Sequence, residues 1–383
     1  MALHFTAEEF QARKDQVLAR MGERKLDAML LFAPESHYWL TGYDTFGFCF
    51  FQCLVLKSDG ALTLLTRSAD LRQARQTSIV DDIRIWIDGA DAQPAHQLRE
   101  MLDDLDLLGA RLGIEYDTQG LTAKNGRALD DALKTFGKTE DASDLIPRLR
   151  IVKSEAEVAY VHRAGELADD ALDAGLALIK AGADEGEILA AMQGAVFAGG
   201  GDYPGNPFII GSGRDALLCR TKSGRRKLDA ADQITLEFAG VYRMYHVALM
   251  RTVVVGRPGD RHVELHNAAA EALAACEDAM RPGRTFGDVY AAHASTFDRL
   301  GLGRHRLNAC GYSLGTRYAP SWMDMPMFYR DNPEPIVPNM VLFAHMILMD
   351  SDTDTAMTLG RTFLTTEDAP QPLSRHDSTL LIR

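Results

Sequence analysis

The segment LEFAGVYRMYHVALMRT, Leu236 to Thr252, reads as two strands joined by a tight turn, with one carboxylate, Glu237, set among apolar residues. A carboxylate held in a dry pocket against an electrophilic carbon is a competent nucleophile, because fixed orientation replaces a bimolecular encounter. The resulting adduct needs an activated water, and His246 and His345 carry imidazoles whose ordinary pKa of about 6.5 suits that task. Tyr203, Tyr245 and Tyr312 offer hydroxyl donors to developing charge. Arg220 or Arg361 could hold a substrate carboxylate in a forked contact. Asp202 adjoins Tyr203 in GGDYP, and Phe46 opens the aromatic run FGFCFFQCLVL. Each candidate also has a structural reading: Glu237 as an acid satisfied by backbone donors, His345 as a core histidine, Tyr312 as packing in a Gly-rich turn. Strand alternation sets His246 on the opposite face from Tyr245 and puts Glu237 on the face of Thr235 and Ala239.

A chain of 383 residues exceeds one ordinary core, so two domains are expected. In the first 150 or so residues strand and helix patterns alternate. Helical spacing covers Phe10–Arg24 and His96–Leu108. Strand patterns cover Asp27–Ala33, the run from Phe46 to Leu56, Ala61–Thr66, Ile83–Asp88 and Arg111–Asp117. That alternation predicts an α/β layer domain over residues 1–148. LIPRLRIVKS then leads into a long helix through Lys180, with Ser154 and Glu157 spaced as a capping box. A second helix, Glu185–Ala198, ends at the Gly199–Gly201 cluster. Strands at Ile234–Phe238, Tyr245–Val255, Met340–Met349 and Arg361–Thr366, with helices at Val263–Met280 and Thr285–Leu300, predict an α+β domain over residues 149–383.

Composition is that of a globular chain, 46% apolar and 25% charged. The net charge of −13 argues against nucleic acid or an anionic membrane surface as the main partner. The apolar run from Phe46 is about half a membrane span, and MALHFTAEEFQARKDQ has no hydrophobic leader core, which predicts a cytoplasmic protein. Five scattered cysteines, Cys49, Cys53, Cys219, Cys276 and Cys310, read as free thiols and not as a disulfide framework or a zinc site.

The ordered set LRIVKSEAEVAYVHRA, HYWLTGYD, ADQITLEFAG…RTVVVGRPG, CGYSLGTRY and PNMVLFAHM resembles the pita-bread family of M24 peptidases and creatinases. That resemblance implies a creatinase-like α/β N-terminal domain followed by an α+β pita-bread (creatinase/aminopeptidase) domain, and a homodimer in which Phe46, Phe48 or Gln52 nears a neighbour's Glu237. Metal-dependent members hold paired ions with two aspartates, a histidine and two glutamates. Matched by motif, those positions fall here on Glu237, Ala248, Tyr312, His345 and near Gly360. Ions about 3.5–4 Å apart need shared carboxylates that these residue types do not supply, so neither metal nor other cofactor is expected. Among metal-free members the GGDYP, LTGYD, Glu237–Val247 and CGYSLG stretches are similar to those of ectoine hydrolases. The likeness implies hydrolysis of a C–N bond in a small, polar, zwitterionic or cyclic amidine compound, with Glu237 as covalent nucleophile. One departure stands out: where relatives carry a histidine after S-G-x-x-A, SGRDALLCRTKSG offers Arg220. Creatinase activity is therefore not expected, and the arginine suits an anionic group on the substrate. The alternatives left open are a catalytically silent pita-bread module that binds a ligand or a protein, and a Xaa-Pro metallopeptidase.

Overall fold

The computed structural model describes residues 3–221 and 224–383, so Lys222 and Ser223, near the end of the SGRDALLCRTKSG segment, lie outside it. The chain divides into two compact units, Met1–Arg150 and Ile151–Arg383, the break falling two residues beyond the expected one.

The first unit is a mixed six-stranded sheet. Its strands are β1 (Ala28–Leu31), β2 (Cys53–Lys57), β3 (Leu62–Arg67), β4 (Asp82–Trp86), β5 (Arg111–Ile114) and β6 (Lys138–Asp141), in spatial order β4-β3-β2-β1-β5-β6. Helices α1 (Ala7–Arg24), α2 (Pro34–Thr41), α3 (Leu71–Thr77), α4 (Pro94–Asp104), α5 (Ala123–Leu133) and α6 (Leu145–Arg150) cover it. The central strand shows why both faces are covered: Ala28 and Leu30 enter one apolar core, Met29 and Leu31 the other. Such a strand reads as an unbroken apolar run and not as an alternation.

The run from Phe46 to Leu56 is not one buried strand. Residues Gly47–Cys49 form a 3-10 turn and β2 begins only at Cys53, leaving Phe46 85% and Phe50 45% exposed. The Thr45 hydroxyl accepts from the Gly47 amide at 2.9 Å and donates to Asp70 at 3.1 Å, a local bond that competes with strand pairing.

The second unit is built on a nine-stranded sheet. Its strands are β7 (Ile209–Ser212), β8 (Asp232–Tyr242), β9 (Tyr245–Val255), β10 (Gly311–Ser313), β11 (Asp324–Met327), β12 (Val341–Asp350), β13 (Thr355–Leu364), β14 (Gln371–Pro372) and β15 (Leu381–Ile382). The main path runs β11-β10-β12-β13-β9-β8-β7. The β8–β9 hairpin pairs without a break from Asp232↔Val255 to Tyr242↔Tyr245. Its two turn residues, Arg243 and Met244, have φ of 50° and 65°, as a type I′ turn requires.

Helix α7 (Glu155–Leu178) opens with the expected capping box, and α8 (Glu185–Ala198) follows. Helices α9 (Asp260–Ala279) and α10 (Phe286–Arg299) supply Leu265, Leu273, Phe286 and Phe297 to a core completed by Leu342, Ala344, Met346 and Leu348 of β12. Alternation along β12 therefore turns Phe343 and His345 to the other face. Among the described residues no helix is long and apolar enough to cross a membrane.

Candidate active site

Six strands of the second unit contribute to the surroundings of Glu237. The acid stands in mid-β8, paired with Met250 of β9 and Ile209 of β7. Across the sheet, β10 pairs Tyr312 with Phe343 of β12, and β12 pairs His345 with Gly360 of β13. The Tyr312 hydroxyl donates to Glu237 Oε1 at 3.3 Å, and the Trp322 indole donates to the Tyr312 oxygen at 2.9 Å. The rings of Tyr312, Phe343 and His345 form a tight triangle: Tyr312–Phe343 is 5.4 Å, Tyr312–His345 5.7 Å and Phe343–His345 5.5 Å between centroids.

Burial dominates the charges of this cluster. Glu237 is 9% exposed, and loss of solvation pushes its carboxyl up to about 7, against the charge of Arg220 and the Tyr312 hydrogen bond. Burial, aided by the Arg220 charge, depresses His345 to about 4, so at neutral pH the imidazole is uncharged. Its Nδ1 is buried with no hydrogen-bond partner. Burial and the nearby Glu237 raise the Tyr312 phenol well above its ordinary range, which keeps it a donor. Arg220 is exposed, yet its positive charge acts on Glu237, Tyr312, His345 and Cys219 alike. Among the described residues no carboxylate forms an ion pair with it, so the guanidinium is free for an anionic group.

Tyr245, Arg361 and His246 are committed to other partners. Tyr245 turns away from the cluster: its hydroxyl donates to Glu157 Oε1 at 2.6 Å, on the α7 side of the sheet. Glu157 is the capping-box acid, so helix start and strand are tied by one carboxylate. Arg361 follows Gly360 on β13 and faces away from the cluster; its guanidinium donates to the Ser374 carbonyl at 3.1 Å and shares its surroundings with buried Arg251. His246 cannot serve as a free base. Its Nε2 accepts from the Gly205 amide at 2.9 Å and its Nδ1 faces the Gly315 carbonyl at 3.3 Å, so both nitrogens are committed in a fully buried ring. Tyr203 is 78% exposed and meets Phe197 edge-on, and after α8 the Asp202 backbone amide donates to the Val241 carbonyl at 3.0 Å. Phe46 belongs to the first unit and is mostly exposed. Trp322 and Phe343 were not anticipated. Phe343 was legible, since it lies two residues before His345 on one strand; Trp322 sits in the irregular stretch SWMDMP and gave no periodic signal.

The donor set does not fit a pair of metal ions. Ala248 has no donor, and the Tyr312 oxygen is already engaged by Trp322 and Glu237. Gly360 has no room for a side chain: a Cβ there would lie 2.7 Å from both Met250 Cβ and Phe343 Cζ. Phe343 thus fills the volume that a glutamate at Gly360 would need. Among the described residues no three His, Cys, Asp or Glu side chains converge as a metal site.

Comparison with known proteins gives the family. The model of metallopeptidase family M24 matches residues 159–367, and that of the creatinase/prolidase N-terminal domain matches residues 13–152. The chain belongs to metallopeptidase family M24, with a creatinase-like N-terminal domain and a pita-bread second domain. Ectoine hydrolase of Halomonas elongata is 26% identical, aligned over all of this chain and 99% of its own length. The Xaa-Pro dipeptidase of Pyrococcus furiosus is 22% identical over 79% of this chain and 82% of its own. Among solved structures, a prolidase from Thermococcus sibiricus superposes with a TM-score of 0.88 at 18% identity, covering 98% of this chain and 99% of that one. These relatives are hydrolases by name, and this chain is a hydrolase-family member.

Proposed function

We propose that the protein is a metal-independent hydrolase resembling ectoine hydrolase, which opens a C–N bond in a small cationic or zwitterionic nitrogen compound such as a cyclic amidine. The observation that carries this reading is the pairing of a lone, buried, hydrogen-bonded carboxylate with a Gly360 position that Phe343 and Met250 have closed to any ligating side chain. A cationic ring is attracted to Glu237, and three aromatic rings beside it favour a cation with an apolar face.

In the first step one Glu237 oxygen adds to the amidinium carbon, and the carbon–nitrogen π pair returns to nitrogen. Water then gives a proton to the neutral imidazole of His345 and displaces the carboxylate from that carbon. The C–N bond breaks as the hydroxyl oxygen closes to a carbonyl; the imidazolium returns its proton to the departing nitrogen and the hydroxyl proton follows it, leaving an amide and an ammonium group. The sum is one water added across one C–N bond. Arg220 holds the substrate carboxylate. The working enzyme is taken to be a cytoplasmic homodimer, which light scattering and fractionation would test.

The direct experiment is ectoine turnover with and without a chelator, alongside Glu237→Gln. Chelator-resistant turnover that the substitution abolishes, with the fold intact by circular dichroism, is expected. Turnover that disappears with chelator, or survives Glu237→Gln, overturns the reading.

A further inference from the structure

We propose that Trp322 is a positioning residue that locks Tyr312 as a hydrogen-bond donor to Glu237 Oε1, leaving Oε2 as the oxygen that reacts. The assignment of Oε2 rests on the nucleophile reading above; the lock itself rests on geometry alone.

An indole N–H can donate but never accept, whereas a phenolic hydroxyl can do either. Trp322 Nε1 lies 2.9 Å from the Tyr312 oxygen, so that oxygen must accept there. A phenol keeps its O–H close to the ring plane, which leaves two in-plane directions at the oxygen. The indole hydrogen occupies the accepting side of that oxygen. The hydroxyl hydrogen points away from the indole, and the acceptor within reach is Glu237 Oε1 at 3.3 Å. Without the indole the phenol could turn round and accept from a protonated Glu237, leaving the acid in its unreactive form. Trp322 secures one orientation, the one that favours the ionised acid.

The indole is itself held in place. It is 1% exposed, and its backbone amide donates to Asn206 Oδ1 at 3.2 Å. The neighbouring Gly205 amide is tied to His246 Nε2, and a Cβ at Gly205 would come within 2.7 Å of the Trp322 nitrogen. His246 therefore reaches the acid indirectly, through the 205–206 loop and Trp322. This accounts for a buried histidine on the site's own hairpin that has no nitrogen to spare for chemistry.

The chain has three tryptophans, so protein labelled with 15N at the indoles gives three indole N–H resonances, read here without substrate. One resonance should titrate with Glu237, lose that titration in Glu237→Gln, and move upfield in Tyr312→Phe. The carboxylic C=O infrared band that Glu237→Gln removes gives the midpoint of Glu237 directly. Tyr312→Phe should raise that midpoint by about one pH unit, as loss of a hydrogen bond to a charged group implies, and Trp322→Phe by about half as much. The double variant should match Tyr312→Phe alone, because Trp322 acts only through the phenol; a merely structural tryptophan would add its own shift. An unchanged midpoint in Trp322→Phe, or additive shifts, overturns the proposal. If Trp322→Phe fails to fold, an indole spectrum indifferent to Tyr312→Phe overturns it by itself. Midpoints that move as expected in a protein without C–N hydrolase activity would keep the lock and remove the nucleophile.

Discussion

Replacing Glu237 by Gln should stabilise the protein at alkaline pH while abolishing its chemistry. Burial lifts the Glu237 carboxyl from an ordinary 4.5 to about 7. Between those values the folded chain keeps a proton that the unfolded chain has released, so stability falls as pH rises through the window. Above about 7 the buried carboxylate is ionised and its full cost is present. At 1.36 kcal/mol per pH unit the difference is about 3 kcal/mol. Glutamine has no proton to lose and the same shape, so its curve lacks this decline. Other titrating groups, such as buried Glu115, contribute equally to both proteins and cancel. The advantage of the variant should therefore grow by about 3 kcal/mol between pH 4 and pH 8. Spread over the second unit of roughly 230 residues, that corresponds to about 6 °C in the thermal midpoint. Parallel melting profiles across that range would refute the claim that Glu237 is buried in apolar surroundings, whatever the enzyme's substrate.

Three further outcomes are expected. Gly360→Ala should destabilise by about 2 kcal/mol, because its methyl meets Met250 and the Phe343 ring, and should confer no metal retention; denaturant melts and metal analysis after dialysis check both. Tyr245→Phe should cost about 1–2 kcal/mol by removing one buried donor from Glu157, with kcat unchanged; a fall in kcat at constant stability would return Tyr245 to the site. On the acid side, burial depresses His37, His246 and His345 to about 4, so between 6.5 and 4 the unfolded chain binds protons that the folded chain refuses. Stability should fall as pH drops through that window, and His37→Gln should flatten the fall when followed by tryptophan fluorescence.

The elements that carry the site were legible because their patterns are local. The Ser154–Glu157 spacing announced the start of α7, and VLFAHMILM alternates so that Phe343 and His345 share a face. What escaped depends on contacts distant in sequence. Strand β13 begins at Thr355, six residues before the expected start, since the glycine and threonines of TAMTLG lack the apolar alternation that marks a strand. The glycine is there because a side chain from another strand occupies its space. Trp322 lies in an irregular stretch, and its role follows only from where Tyr312 and Glu237 stand. Two of the residues expected at the substrate, Tyr245 and Arg361, sit on the site's own strands but point to the sheet's other face, where one step along a strand carries a side chain.

The contact between Phe343 and Gly360 also bears on how such a protein can change over generations. If a glutamate once stood at Gly360, the benzyl group could move inward only after that carboxylate had gone. Once inward, it blocks the return: any branch at Gly360 now collides before it can bind anything. A ligating side chain at Gly360 would require both the Phe343 ring and the backbone about Met250 to give way first. The packing at Gly360 thus works as a ratchet: single substitutions there meet a clash before they can meet an ion.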